Sequence, residues 1–366
     1  MLRAVAAGGT LASTRATEAF TTSASSDVFD EALELLKGRG PEYGGGLANH
    51  GPMAAEALVA LGRTDAVVPW VSAYRRRLDV LPAAWKPLTE ADWRAALGDP
   101  RHAGDWARFF EAQLAEKPWP EVVDTWVARL APGLVAAATH GTIRTGHAVR
   151  ALAARDTPTR RQELAAGLGY WATHFQTLPS AAGGVTANLT AREALPRVPV
   201  VPPDQQGHGF ITDRLRPLAN LPAFASIIDL LDTSGDPSRV LSDITRAFAG
   251  VYLTNAGTAT IAFVHTVTGP SSLRLMLPYL SPATAHSALR YAWQAAAGMY
   301  AAHARPDGPA PADLPNVLDV EGLTAEAVDA GDEHAIKFTE ACLREHKVAP
   351  APEFLAAARD ACPRLG

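Results

Sequence analysis

Apolar residues recur at spacings of three and four along most of this chain, the pattern of a helix with one buried face. Phe29, Leu33 and Leu36 form such a row near the start. Strand signals are scarce. The segments that suit helices are 27–37, 52–62, 65–80, 103–116, 121–137, 143–155, 159–177, 222–233, 238–251, 257–268, 272–279, 283–305, 323–345 and 352–362. The sequence therefore predicts an all-α fold, an irregular multi-helix single domain with long loops.

Two long irregular stretches interrupt the helical pattern. The run from Val198 to Pro203 cannot be a central strand, because proline lacks the amide donor. It belongs to a stretch at about 178–221 that is rich in Pro, Gly, Asn and Thr. Loops of that length in compact domains are usually lids, binding loops or disordered insertions, so we predict a substrate cover here. The Pro-rich loop 304–319 is predicted to be a plain connector.

The length of 366 residues, 48% of them hydrophobic, allows a large core. We predict one helical domain over 27–366, preceded by a flexible tail at 1–26. The tail contains Arg, Ser, Thr and Ala, with Glu18 as its only acid, and a transit-like leader is the alternative interpretation. No stretch reaches the roughly 18 consecutive apolar residues that a spanning helix needs, which argues against a membrane protein.

Charge and cysteine usage restrict the partners and the compartment. The formal net charge is −5 and the pI is about 6.1. Because no basic stripe is present, a nucleic-acid partner is not expected. The two cysteines, Cys342 and Cys362, offer no disulfide framework and no paired zinc motif. A reducing, cytoplasmic location is the default prediction, and the sequence indicates no particular oligomeric state.

Five of the eleven histidines and one lysine lie in short Gly-rich or helical segments. Neutral imidazole is the commonest side-chain metal ligand, because one ring nitrogen coordinates while a partner holds the other. The sequence therefore predicts a metal site. The candidate ligands are His50, His140, His147, His265, His334 and Lys337.

His334 and Lys337 are three residues apart in a predicted helix, so their side chains leave the same face. A buried lysine loses its proton readily, and the free amine could then add carbon dioxide to become an anionic carbamate ligand. The alternative is a surface lysine beside a core histidine.

His140 and His147 are seven residues apart, about 10 Å along a regular helix. Because Gly141 and Gly146 allow the backbone to break or start a helix, we expect His140 to end one helix and His147 to lie within the next. If the helix is continuous, one of these two histidines does not bind the metal itself but contacts a residue that does. Arg144 is placed to orient an anionic or phenolic substrate oxygen, or else it forms a salt bridge.

His50 and His265 occur in contrasting surroundings. His50 follows the glycines of Tyr43–Asn49 and precedes Gly51 and Pro52, where a loop leads into a helix. His265 is flanked by apolar residues, so it needs a partner, either a metal or a hydrogen bond within the core.

Several catalytic motifs are absent from the sequence. It contains no Gly-x-Gly-x-x-Gly at a strand-to-helix turn, no Gly-x-x-x-x-Gly-Lys-Ser/Thr loop and no Gly-x-Ser-x-Gly elbow. These absences weigh against flavin, nicotinamide, nucleotide and serine-hydrolase chemistry.

Three segments resemble the questin oxidase-like proteins: Tyr43–Met53, His140–Ala148 and His334–Ala341. The likeness runs in ordered blocks over about 28–348. It implies oxygenation or cleavage of a polycyclic aromatic polyketide of the anthraquinone type by an oxygenase of secondary metabolism. Members of the family are associated with a histidine-rich non-heme iron site or with NADPH-dependent Baeyer–Villiger oxidation.

Dioxygen reacts slowly with closed-shell organic molecules, so an oxygenase needs a redox metal, a flavin or an easily oxidised substrate. We therefore prefer Fe(II), although Zn, Cu and Ni accept similar ligands. Four of the five histidines would hold it with a carboxylated Lys337, and His334 is the first we would move outside the ligand set. Tyr43 and Arg144 are the predicted substrate-orienting catalytic residues. The aromatic side chains that could line an apolar pocket are Trp171, Trp293 and Phe210.

Two rival functions remain open. One is a metal-free, NADPH-dependent monooxygenase of the Baeyer–Villiger type. The other is a non-catalytic helical protein that binds a polyketide and whose histidines merely pack.

Overall fold

The computed structural model describes residues 28–181, 187–305 and 319–366. The predicted tail at 1–26 lies outside the described residues, as does most of the predicted connector at 304–319. The all-α prediction is confirmed. The only sheet in the described part of the chain pairs two short antiparallel strands, β1 (Glu42–Tyr43) and β2 (Leu47–Ala48).

The helices follow one another with short connections. They are α1 (28–36), α2 (Gly51–Ala60), α3 (Thr64–Tyr74), α4 (Trp93–Ala96), α5 (Ala103–Glu116), α6 (Trp119–Leu130), α7 (His140–Ala154), α8 (Pro158–Thr173), α9 (Ala191–Ala194), α10 (Ile211–Arg214), α11 (Pro237–Leu273), α12 (Pro282–His303), α13 (Val320–Ala330), α14 (Glu333–Val348) and α15 (Pro352–Leu365). Short 3₁₀ turns occur at Arg75–Arg77, Pro100–His102, Ala131–Gly133, Leu195–Arg197, Pro203–Gln205, Arg216–Asn220, Pro222–Asp229 and Leu277–Tyr279.

Helix ends follow the local chemistry. The prediction of one helix over 323–345 is wrong, because Gly331 adopts φ +66° and ends α13. Asp332 then caps α14, with its Oδ1 accepting from the amides of His334 (2.7 Å) and Ala335 (3.2 Å). The predicted helices at 238–251 and 257–268 form the single run α11, with a non-helical kink at Ala259 (φ −158°, ψ 62°).

The stretch 178–221, predicted to be an irregular loop, carries several short helical turns in its described part. Its backbone is fastened to α12, since the amide of Val201 donates to the carbonyl of Ala301 (2.8 Å). Val198 and Val201 are buried. The described part of this stretch is therefore irregular, as predicted, but its buried apolar residues hold it against a core helix. Its role as a substrate cover stays a prediction.

Two groups of buried apolar side chains form the core. The larger contains the tryptophans of α5, α6, α8 and α12. The smaller joins α1, α2 and α3 to Ala151 of α7 and Ile336 of α14. Helix α2 packs against α7 and α14, and α11 packs against the same two helices. These four helices surround the candidate site.

Among the described residues, one helical run, Pro237–Tyr279, is long and apolar enough to cross a membrane by length and composition. Half of its most apolar window is buried inside the protein, and α11 packs against α7, α12, α14 and α15. The core helix of a soluble protein passes the same test, so this is weak evidence for a span. The cytoplasmic location stays a prediction.

Candidate metal centre

His50 lies between the β1–β2 hairpin and helix α2. Pro52 occupies the first turn of that helix, where its missing N–H breaks no hydrogen bond. The Oδ1 atom of Asn49 accepts from the amide of Gly51 (2.9 Å), and the amide of His50 itself donates to the Tyr74 hydroxyl (2.9 Å). These bonds hold the backbone from which the imidazole projects.

His140 is the first residue of α7 and follows an unusual turn. Ala137, Ala138 and Thr139 all have positive φ, at 47°, 54° and 70°. Left-handed backbone costs about 1–2 kcal/mol per non-glycine residue. Such strain persists only where the surrounding structure fixes it, and it clusters at functional sites. The Nδ1 atom of His140 bonds the Ala137 carbonyl inside this turn, so the turn also orients the ring.

Four imidazoles meet beside these elements. The Nε2 atoms of His50 and His140 are 2.7 Å apart. The ring centroid of His334 lies 4.5 Å from that of His50, and the centroid of His265 lies 4.3 Å from that of His140. Ligand atoms of His50, His140 and His334 all lie within 4.8 Å of one another, which is close enough for this buried triad to hold one ion.

Each of the four rings has a neighbour at Nδ1. The partners are the Tyr74 hydroxyl for His50 (3.4 Å), the Ala137 carbonyl for His140, the Thr139 hydroxyl for His265 (3.4 Å) and the Asp332 carboxylate for His334 (3.4 Å). Nε2 of His265 has no hydrogen-bond partner among the described residues, although the ring is fully buried. A ring held at Nδ1 presents Nε2, as metal-binding histidines do.

The charge state of the cluster suits a cation. Burial, and after it the charge of Lys337, holds the pKa values of His50 and His140 well below their usual range. Burial does the same for His265, with His140 and His334 as the next causes. These three rings are therefore neutral at neutral pH and keep the lone pair that a metal requires.

Lys337 lies on α14, one turn after His334, and is only 1% exposed. Burial lowers the pKa of Lys337 to about 7, although Glu333 and Asp332 act in the opposite direction. A large share of this side chain is therefore a free amine at neutral pH, which is the reactive form.

Sequence reasoning missed two acidic neighbours of the cluster and one tyrosine. Glu333 Oε1 lies 3.8 Å from Nδ1 of His50, and Asp332 contacts His334. Both acids directly precede His334 in the sequence, a signal that could have been used. Tyr74, at the end of α3, contacts His50 across 24 positions in the sequence, and no motif marks it.

The structure places His147 apart from the four clustered rings. Its Nδ1 bonds Glu56 Oε2 at 2.6 Å. Helix α7 runs unbroken from His140 through His147, so the expected helix break is wrong. A Cβ at Gly141 would lie 2.5 Å from the Trp171 Cα, so this glycine permits close packing of α7 against α8. Contrary to expectation, His334 lies inside the cluster and His147 outside it.

Arg144 forms a buried bidentate ion pair with Glu163, through Nε–Oε1 (2.6 Å) and Nη2–Oε2 (2.8 Å). The salt-bridge alternative is therefore the arrangement observed. Arg144 also lines a cavity of about 240 Å³, together with Asn49 and Tyr170, but none of the four clustered histidines lines it.

The other residues predicted to contact the substrate lie in different parts of the protein: one near the cluster, two in the core and one at the surface. The Tyr43 ring lies edge-on to Tyr74 at 6.3 Å, one ring away from His50. Trp171 and Trp293 are fully buried and donate to backbone carbonyls, so they belong to the core. Phe210 is 47% exposed and packs beside Gly46 of the β1–β2 turn.

Fold and site together define an all-α protein with four histidines and a lysine gathered around one buried point. Residues 47–209 match the family model described as Questin oxidase-like. This match confirms the family resemblance predicted from the sequence, and the family implies an oxidoreductase. The matched residues include His50 and His140, whereas His265 and His334 lie beyond them. No curated protein matches the chain.

Proposed function

We propose that this protein is a non-heme iron-dependent oxygenase that oxygenates or cleaves a polycyclic aromatic polyketide of the anthraquinone type. The observation that carries the proposal is the meeting of four buried imidazoles, each held at Nδ1, beside a buried lysine. The family match supports the class of reaction.

The residues fit an iron ion. His50, His140, His265 and His334 would supply four nitrogen ligands, and the unpartnered Nε2 of His265 supports this assignment. Iron, when bound, would supply the redox chemistry that lets ground-state dioxygen react with a closed-shell substrate. The ligand type alone also suits other transition metals, and the oxygenase class favours iron among them.

Lys337 would complete the ligand set as a carbamate. The lone pair of its free amine attacks the carbon of dissolved carbon dioxide, and one N–C bond forms. One C=O π bond opens to a C–O⁻, and the nitrogen gives a proton to a solvent base. The product carries one negative charge, which offsets part of the charge of a divalent ion in this buried site. The pKa of about 7 supports this step, because it leaves free amine at neutral pH.

The substrate would lie against Arg144 and Tyr43. Glu163 occupies Nε and Nη2 of Arg144, so Nη1 is the atom that would donate to a substrate carbonyl or phenolate oxygen. Arg144 lines a cavity of about 240 Å³ that does not include Tyr43 but does include Asn49, the residue before His50, so we place the substrate on this side of the cluster. The cavity is smaller than the roughly 300 Å³ at which ligand pockets begin. We therefore expect Leu81, which lines this cavity and is 40% exposed, to move when a polycyclic ring enters.

Metal analysis of protein purified without a metal-affinity tag tests the proposal. We expect about one iron per chain after anaerobic loading with Fe(II), and oxygen uptake with a hydroxyanthraquinone that stops on chelation. Full turnover of chelated, metal-free protein with NADPH would instead establish the metal-free monooxygenase. Unchanged metal content in His140→Ala and His265→Ala would favour a binding protein.

A further inference from the structure

Three of the four helices around the candidate site begin at the histidine cluster. Helix α2 starts directly after His50, α7 starts at His140, and α14 carries His334 at its second position. The relative placement of these helices therefore sets the distances between the three imidazoles. A rotation or a slip of one helix would move its ring out of the cluster.

The apolar contacts between these helices are poorly suited to fix that placement. To the smaller core these three helices contribute mostly alanines, with only two larger side chains, Leu58 and Ile336; the alanines are Ala54, Ala55, Ala57 and Ala151. Alanine surfaces are smooth, and many rotations and shifts bury them equally well. Directional polar contacts are one way to select a single arrangement of such helices.

A buried polar network, the Arg150 network, lies farther along the same three helices. It consists of Glu56 on α2, His147 and Arg150 on α7, and Glu340 on α14. Glu56 Oε2 accepts from Nδ1 of His147 (2.6 Å), and Glu56 Oε1 accepts from Nε of Arg150 (2.6 Å). The Nη1 atom of Arg150 donates to Oε1 of Glu340. Arg150 thus ties α2 and α14 to α7.

The network lies at similar depth along each helix. Glu56 follows His50 by six residues, Glu340 follows His334 by six, and His147 follows His140 by seven. At 1.5 Å per residue these separations are about 9–10 Å. Each helix is therefore held at two levels, by its ligand at one end and by the network about two turns later.

The network stays charged over a wide pH range. Burial raises the pKa of Glu56, but Arg150 and the hydrogen bond from His147 outweigh it and bring the pKa to about 2. The pKa of Glu340 is also lowered, because Arg150 and Arg344 outweigh burial. Removing one partner would strand a buried charge, which is strongly unfavourable.

We propose that Glu56, His147, Arg150 and Glu340 are positioning residues, which fix α2, α7 and α14 so that His50, His140 and His334 meet at one point. This inference rests on the proposed metal site for its biological meaning, but its geometry is independent of any ion. The proposal also assigns a role to His147, a predicted metal ligand that lies outside the cluster of four imidazoles.

The test compares two substitutions on α14. Glu340→Gln breaks the network. Glu345→Gln removes a carboxylate that is also buried and that pairs with Arg274 Nη2 at 2.6 Å. Glu345 accepts from Ser271 rather than from Arg150 or His147, and it reaches Glu340 only indirectly, through Ser271 and Arg344. Both variants are expected to lose stability, so stability alone does not separate them. The separating measurement is the dissociation constant of Co(II), read from its visible absorption in competition with a chelator.

We expect Glu340→Gln to bind Co(II) at least 10-fold more weakly, with an altered absorption band, since supporting contacts typically change metal affinity by about 10–100-fold. Glu345→Gln should stay within about twofold of the parent protein. Equal affinities for Glu340→Gln and the parent, or an equal loss in both variants, would overturn the proposal.

A second measurement does not need a metal. The imidazole nitrogen NMR signals of metal-free protein should shift for His50, His140 and His334 in Glu340→Gln, and not in Glu345→Gln. If the parent protein binds no Co(II), the metal site is wrong, and these signals still decide the positioning role. Unmoved signals in Glu340→Gln would refute it.

Discussion

Nε2 of His50 lies 2.7 Å from Nε2 of His140, although 90 positions separate the two residues in the sequence. Because the Ala137 carbonyl accepts the Nδ1 proton of His140, Nε2 of His140 carries the lone pair and His50 donates. An ion between the rings would displace that shared proton. His50 would then carry its proton on Nδ1, which faces the Tyr74 hydroxyl at 3.4 Å and the negative charge of Glu333 Oε1 at 3.8 Å.

Glu333 should therefore strengthen metal binding without touching the metal. We predict that Glu333→Gln weakens Co(II) affinity about 10-fold, because the carboxylate no longer stabilises the Nδ1–H form of His50. Chelator competition measures the change. Glu326→Gln, at an exposed position on α13, is the control and should bind as the parent does. Equal affinity in the two variants would contradict the role given to Glu333.

Lys337 should cost the metal-free protein stability. Burial lowers its pKa from 10.5 to about 7, so the folded state holds this proton less tightly than the unfolded chain. The resulting loss of unfolding free energy is fully present below pH 7 and disappears as the pH rises to 10.5. It amounts to about 4 kcal/mol at pH 7, at 1.36 kcal/mol per pKa unit.

Lys337→Met is therefore expected to raise the unfolding free energy of metal-free protein by several kcal/mol at pH 7, while iron binding is lost. Urea unfolding measures the first effect and metal analysis the second. Lys347→Met, at an exposed position on the same helix, should change neither. A less stable Lys337→Met protein would argue that the lysine is well solvated or paired.

The lowered pKa of Glu56 leads us to predict that the unfolding free energy of the protein falls in acid. Its pKa is about 2 in the folded protein, against 4.5 for an ordinary glutamate. The stability it contributes is present above pH 4.5 and is lost as the pH falls to 2, and it amounts to roughly 3 kcal/mol. Glu56→Gln should flatten the fall of unfolding free energy across this window. Urea unfolding at a series of pH values measures this dependence. If the unfolding free energy of Glu56→Gln falls with pH as steeply as that of the parent protein, other groups cause the acid sensitivity.

Gly141 is predicted to tolerate no side chain. Its Cβ would lie 2.5 Å from the Trp171 Cα, a backbone atom that cannot turn away. We expect Gly141→Ala to lower the unfolding free energy by about 1–3 kcal/mol through overpacking of α7 against α8. A Cβ added at Gly250 of α11 would meet no atom within 4 Å, so Gly250→Ala should instead stabilise by about 0.5–1 kcal/mol. Changes of opposite sign in the unfolding free energy of the two variants, measured by chemical unfolding, would support this packing.

The helices could be predicted from the sequence where local chemistry marks their ends. Segment 103–116 matches α5 at both ends. The break between α13 and α14 was also visible in the sequence, as Gly331 followed by Asp332, a helix stop followed by a cap. It was missed because the apolar periodicity continues across it.

The partners of the polar residues could not be predicted. Glu56 meets His147 across 91 positions, and Arg144 meets Glu163 on the next helix. Such pairs depend on how helices rotate against one another, which local patterns do not encode. The left-handed turn ending at Thr139 was equally hidden, since it contains no glycine and is imposed by the packing around it.

Anomalous diffraction at the iron absorption edge, from crystals of Fe(II)-loaded protein, would locate the proposed ion without any assumption about its ligands. We expect one strong peak bonded to the imidazole nitrogens of His50, His140, His265 and His334. An iron-loaded crystal without a peak at that point, or with these four rings turned toward separate regions, would show that the iron site is wrong.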